Sequence, residues 1–151
     1  TGEIAATSIK HSISGNNAGD YGPGAEILYG ISDDSVTAGV IYDLRAGVWT
    51  PIDANGNQTY QHLCAVATAA AGSGNSSNGM IIKGCVTLAS AYTDATGENE
   101  GILVYASETA GQATLVAPSD SGDIVRILGY SLNVSSKKMF FNPDSTYVEI
   151  A

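Results

Sequence analysis

Between residues 101 and 150 the chain is a train of short apolar-alternating runs, GILVYAS, ETAGQATLVAP, SDSGDIVRILGYSL and NVSSKKMFFNPDSTYVEI, each cut off by Gly, Pro, Asn or Asp. Punctuation at intervals of about 8 to 12 residues leaves no room for a helix of ordinary length and predicts a compact all-β unit. The same stretch holds no His and no Cys, and its carboxylates fall mainly in the turns. A well-made β-structure without reactive groups predicts a protein whose work is done by its surface.

At 151 residues the chain is long enough for one domain with a real core, since a chain of this size buries roughly 70% of its unfolded surface. Charged residues make up 14% of it, against about 25% in ordinary soluble proteins, so Ser, Thr, Asn and Gly cover much of the surface. The net charge of −9, from 15 acidic and 6 basic residues, repels a phosphate backbone and excludes direct binding of nucleic acid. Lys137 and Lys138, the only adjacent basic residues, fit a solvated turn before a strand. No apolar run approaches the roughly 18 residues of a membrane span, and no basic-then-apolar signal opens the chain; no membrane partner is expected.

Residues 1–23 are polar and glycine-rich with no sustained period, which predicts an extended N-terminal arm ahead of a β-domain over 24–151. Strands are expected over 25–31, 39–44, 48–52, 63–69, 80–89, 101–106, 113–116, 124–132, 138–142 and 147–150. Without a capped run of helical spacing, helix content should be small. The fold class is therefore all-β, a single antiparallel β-sandwich or β-barrel. The flexible tract 70–79 joins two matching apolar runs as a long-looped hairpin, and residues 108–111 close a second one, with Gly111 able to take positive φ. Alternation nominates Leu63, Val66, Ile81, Val86, Leu88, Ile102, Val104, Leu115, Ile124, Ile127, Tyr130, Leu132 and Phe140 as inward residues. The run 124–130 is apolar on both faces, which predicts cover by a second sheet, the arm or a neighbouring subunit.

Few residues tempt a chemist. The mirror point of the 70–79 hairpin sets Cys64 opposite Cys85, as a cross-strand disulfide or as two buried free thiols; no third or fourth ligand lies at metal-site spacing. His11 and His62 are the only imidazoles, and neither neighbours a nucleophile motif. Asp53, Asn55 and Asn57 fall at calcium-loop positions, but Gln58 replaces the glycine and Cys64 stands where the bidentate Glu belongs, so the segment reads as a turn. Asp94, Glu98 and Glu100, and Asp120 with Asp123, read as solvated turn acids rather than the opposed pair that glycoside hydrolysis needs. No catalytic residue, metal or cofactor is expected. Ile9 and Ile13 in the arm, with Tyr21, Trp49, Tyr60, Tyr92 and Tyr147, are candidate interface residues, equally compatible with core positions.

The ordered series of residues 48–49, 53–54, 63–67, 79–84, 104–107, 110–114, 117–118, 122–130 and 140–144 resembles a domain of virion proteins of tailed bacteriophages, over roughly residues 40–150. There it serves as capsid decoration protein and as the terminal knob of fibre-like proteins. The resemblance implies an all-β module, usually trimeric, displayed on the particle, with no catalytic residues to carry over. The part before residue 40 lacks the repetitive shaft of the fibre type. The expectation is therefore a decoration (cement) protein that is assembled in the host cytoplasm, binds the outer capsid surface as a homotrimer against the major capsid protein, and stabilises the shell. The alternative is a receptor-binding knob recognising host-surface glycan or protein.

Overall fold

The structure, a computed structural model, describes residues 15–31, 35–55, 62–72, 79–92 and 100–151. These residues form eleven strands and no helix: β1 (Glu26–Leu28), β2 (Ile41–Arg45), β3 (Val48–Pro51), β4 (Cys64–Ala67), β5 (Met80–Thr87), β6 (Leu103–Ala106), β7 (Ala113–Thr114), β8 (Ile124–Val125), β9 (Ile127–Asn133), β10 (Lys138–Phe141) and β11 (Val148–Glu149). Every strand lies inside or within a residue of a run expected from the alternation. All pairings are antiparallel, in the order β3-β2-β4-β5-β10-β9-β6-β7, with β1 also on β5 and a small β8-β11 pair apart. The domain is a curved antiparallel sheet.

The curvature centres on β5. Its first half pairs with β4 at Val66↔Ile81 and Ala67↔Met80, and its second half pairs with β10 from Gly84↔Phe141 to Thr87↔Lys138. One long strand thus passes from one half of the sheet into the other, a device by which sheets turn corners. Ile81 and Val86 both enter the main core although they stand at an odd offset along the strand, with opposite parity. Regular alternation cannot do that, and the β1 register accordingly shifts between Glu26 and Ile27, the mark of a bulge. The far ends of the strand order also touch. Gly111, beside β7, donates to the Ile52 carbonyl at 2.7 Å and accepts from the Ile41 N–H at 3.0 Å.

The main core packs Ile41, Ile52, Cys64, Val66, Ile81, Val86, Leu88, Tyr92, Val104, Leu128, Met139 and Phe141 on the concave side. A second cluster, Val36, Tyr42, Trp49, Ala65, Ala67 and Met80, covers the opposite face of β2, β3 and β4. Strand β4 feeds both, with Cys64 and Val66 inward and Ala65 and Ala67 outward.

Several inward assignments need correcting. Val66, Ile81, Val86, Leu88, Val104, Leu115 and Ile124 are buried as expected, but Leu63 and Tyr130 are exposed and Ile102, Ile127, Leu132 and Phe140 only half-buried. The phase on β9 and β10 is the opposite one, with Leu128, Met139 and Phe141 inside. The cause is a bulge: Val104 faces Gly129 while Tyr105 faces Ile127, so Leu128 is an extra residue. Inward Arg126 and Ser131 hide the true phase by placing polar residues on the core side.

The arm boundary at residue 23 also falls inside paired structure. Gly19 N–H donates to the Thr87 carbonyl, Thr87 N–H to that of Asp20, and Gly22 N–H to that of Cys85, so residues 19–22 run along the free edge of β5. Residues 1–14 lie outside the described residues.

Candidate functional site

The polar residues that the strands bring together lie at one end of the curved sheet. Asp43 sits mid-strand in β2 on the inward parity of Ile41, and its side chain is 0% exposed. Burying a carboxylate is costly unless charge and hydrogen bonds compensate it. Arg45, two residues along the same face, donates from Nε to Asp43 Oδ1 at 2.8 Å. Cys64 is directly opposite Asp43 on β4. His62, two residues before Cys64, brings Nδ1 to 3.7 Å from Asp43 Oδ2. Arg126, buried between β8 and β9, donates from Nε and Nη2 to the Asp144 carbonyl at 3.3 and 3.2 Å.

These groups back an open cleft of about 300 Å³ lined by His62, Leu63, Cys64, Arg126, Pro143, Asp144 and Ser145. Desolvation pushes the Asp43 carboxyl above its ordinary value, opposed by the hydrogen bond and charge of Arg45 and by His62 and Arg126. Burial lifts the Cys64 thiol to about 12, and a nucleophilic or metal-binding cysteine needs the reverse, a thiolate favoured by its surroundings. His62 turns its Nδ1 to Asp43, while Cys64 Sγ contacts the His62 carbonyl at 3.7 Å. The trio therefore lacks the polarity of a Cys-His nucleophile.

A second cluster joins two loops, the β6-β7 and the β7-β8 connections. One ligand-capable oxygen each from Glu108, Asp120 and Asp123 lies within 4.8 Å of the others. Partial desolvation and the neighbouring carboxylates of Asp123, Asp120 and Asp53 hold the Glu108 carboxyl above its ordinary value. Asp53 Oδ1 accepts from the N–H and Nδ2 of Asn55, the turn that the sequence suggests there. Asn57, Gln58, Asp94 and Glu98 lie outside the described residues.

Of the candidate interface residues, Tyr21 is exposed and Tyr147 half-buried. Trp49 and Tyr92 take core positions, one of the two placements open to them, Trp49 in the outer cluster and Tyr92 in the main core with its hydroxyl donating to the Lys138 carbonyl. Ile9, Ile13, Tyr60 and His11 lie outside the described residues. The pairing of Cys64 with Cys85 does not hold. Val66 faces Ile81, which sets the mirror point one residue from the symmetric one, and Cys85 faces Phe140; both thiols are buried and free. Sequence reasoning missed Asp43, Arg45 and Arg126 as a unit. Their signal was present, a lone acid in IYDLR and a lone base in IVRIL, each at an inward position of an apolar strand.

No protein-family model matches this chain, and neither a curated protein nor a solved structure is similar to it. The assignment to tailed-phage virions, capsids and cement proteins is accordingly corrected: none of the three comparisons returns such a relative, and the likeness is one of strand and turn pattern only.

Proposed function

We propose that this chain is a non-catalytic binding module, a single barrel-like β-domain with an N-terminal arm, that works by adhering to copies of itself through the outer face of its β5-β10-β9-β6 half. The observation that carries this reading is a cross-strand row. Cys85 faces Phe140, Phe140 faces Tyr130, and Tyr130 faces Leu103, across four adjacent strands. Their neighbours Val86, Met139, Phe141 and Val104 point into the core, so the row lies on the outer face of the sheet, where Tyr130 is open to solvent, Phe140 and Leu103 are half-buried and Cys85 is covered. Tyr130 is 48% exposed, and half-buried Tyr105, Ile127 and Leu132 extend the apolar surface.

Charge favours a second copy as the occupant. None of these residues is acidic in a chain of net charge −9, so two such faces meet without opposing carboxylates, which elsewhere would repel. Face-to-face sheet packing at about 10 Å then interdigitates the two rows. The reading also agrees with the polar cluster, whose thiol is held protonated and whose charges compensate one another. Sedimentation velocity over a concentration series tests it: a reversible rise in mass is expected, and a monomer at every concentration would contradict it.

A further inference from the structure

Residues 15–24 are held to the domain largely through their backbone. Gly19 N–H donates to the Thr87 carbonyl at 2.9 Å, Thr87 N–H to that of Asp20 at 2.9 Å, and Gly22 N–H to that of Cys85 at 3.0 Å. Only Gly19 and Gly22 are buried in this segment, so it hides no side chain, and none of its residues belongs to either apolar cluster. Thr87, which gives both of its backbone groups to the segment, keeps its own buried Oγ1 without a partner among the described residues. A segment with so few buried contacts opens locally at small cost. Once detached, it leaves the Cys85 carbonyl and both backbone groups of Thr87 unpaired on β5, and an unpaired strand edge is a template for another strand.

We propose that residues 15–22 form an exchangeable strap, which in an assembly pairs with β5 of a second copy in place of that copy's own strap. The partner is fixed by fit. A Cβ on Gly19 would stand 2.4 Å from the Thr68 carbonyl oxygen, and one on Gly39 would stand 2.9 Å from the Gly19 nitrogen. The seat therefore admits a strand with glycine at this place, and the strap of a second copy brings the same glycine in the same register. The hinge is Gly22-Pro23-Gly24. Pro23 is exposed, Gly24 holds φ 88°, and the turn is closed by the Ala25 N–H donating to the Gly22 carbonyl at 3.3 Å. Opening that turn sends the strap away from its own β5 while β1 stays paired at Glu26↔Lys83, the way in which identical chains exchange an element. The strap also borders the adhesive row, since Gly22 bonds to Cys85, the first residue of that row. The exchange deepens the adhesion reading and rests on it for bringing two copies together at this edge.

Tyr21 faces Val86 between the bonds Gly22 to Cys85 and Thr87 to Asp20. That is a non-hydrogen-bonded pair, whose Cα separation of roughly 4.5 Å suits a disulfide. Full-length Tyr21→Cys and Val86→Cys chains, both carrying Cys85→Ser, are mixed under reducing conditions at a concentration where the wild type associates, and then oxidised. A bond between position 21 of one chain and position 86 of the other is expected by peptide mapping, with a yield that rises with concentration. The double variant Tyr21→Cys/Val86→Cys, oxidised when dilute, should close the same bond within one chain. A mixture without the interchain bond, where the intrachain bond forms readily, would overturn the proposal. Hydrogen exchange of the wild-type chain gives a reading free of substitutions: the Gly19, Gly22 and Thr87 amides should exchange together, at least about tenfold faster than the Ala67 amide, which bonds to Val40 in the centre of the sheet. Equal protection would also overturn it. A wild type that assembles in sedimentation without the interchain bond removes the exchange and leaves adhesion standing, whereas a monomer at every concentration overturns both.

Discussion

Gly129 of β9 lies directly opposite Phe141 of β10, and Phe141 faces a second glycine, Gly84 of β5, on its other side. Both glycines hold positive φ, 142° and 139°, a region that L side chains rarely enter. Phe141 is fully buried between them. A large ring flanked by two missing side chains is a means of bending a sheet without leaving a void beneath the bend.

Gly129→Ala should therefore be severely destabilising. A Cβ there would stand 1.9 Å from the Phe140 carbonyl oxygen, a backbone atom that cannot step aside, and a cost above about 4 kcal/mol is expected. Gly47→Ala, at φ 84° with open space around it, should cost only about 1 to 2 kcal/mol of backbone strain. Urea denaturation of the two variants compares them directly; equal losses would show that the close approach at Gly129 is not real.

Removing Asp43 leaves Arg45 beside an emptied carboxylate site and weakens the field that compensates Arg126. Asp43→Ala should lose about 3 kcal/mol, the lower end of what breaking a buried ion pair costs. Arg45 is partly exposed, which keeps the loss from being larger. Chemical denaturation near neutral pH measures it.

Cys64 makes the fold sensitive to alkali. Its thiol is raised by burial to about 12, above the roughly 8.5 of a free thiol, so the unfolded chain gives up its proton first. The stabilisation is present in full below the unfolded value and is lost as pH climbs toward the folded one. Stability should fall between about pH 8.5 and about pH 12, and Cys64→Ala should flatten that part of the profile. In a thiol-reagent assay Cys64 should be silent in the native protein, and both cysteines should titrate once it is denatured.

Partial desolvation, together with the crowding of Asp123, Asp120 and Asp53, makes Glu108 hold its proton more readily than a free carboxylate does. The contribution is favourable at low pH and lost as pH rises through the folded value, which leaves net repulsion at neutrality. Glu108→Gln should raise the melting temperature near neutral pH and leave it unchanged at acid pH. A uniform shift at both would assign the effect to packing instead.

Much of this architecture was legible beforehand, and the failures have physical causes. Strands were legible because Gly, Asp, Asn and Pro end each apolar run; Gly111 does turn the β6-β7 hairpin, with φ 75°. The inward face was not legible on β9 and β10, because a bulge at Leu128 reverses the phase without leaving any mark in composition. Cys64 and Cys85 were misaligned for a related reason, since hairpin symmetry presumes the register that the loop permits rather than the one that side-chain packing selects. The Asp43 cluster escaped because its members come from three separate strand regions, and only folding reveals that the lone charge in each faces the others.

The central claim, adhesion through an inert outer face, is tested most directly by sedimentation velocity of Tyr130→Asp beside the wild-type chain, with Val116→Asp as a control at another exposed apolar position off the row. The account predicts a folded monomer for Tyr130→Asp and undiminished self-association for the wild type and Val116→Asp. A Tyr130→Asp chain that still assembles like the wild type would contradict it.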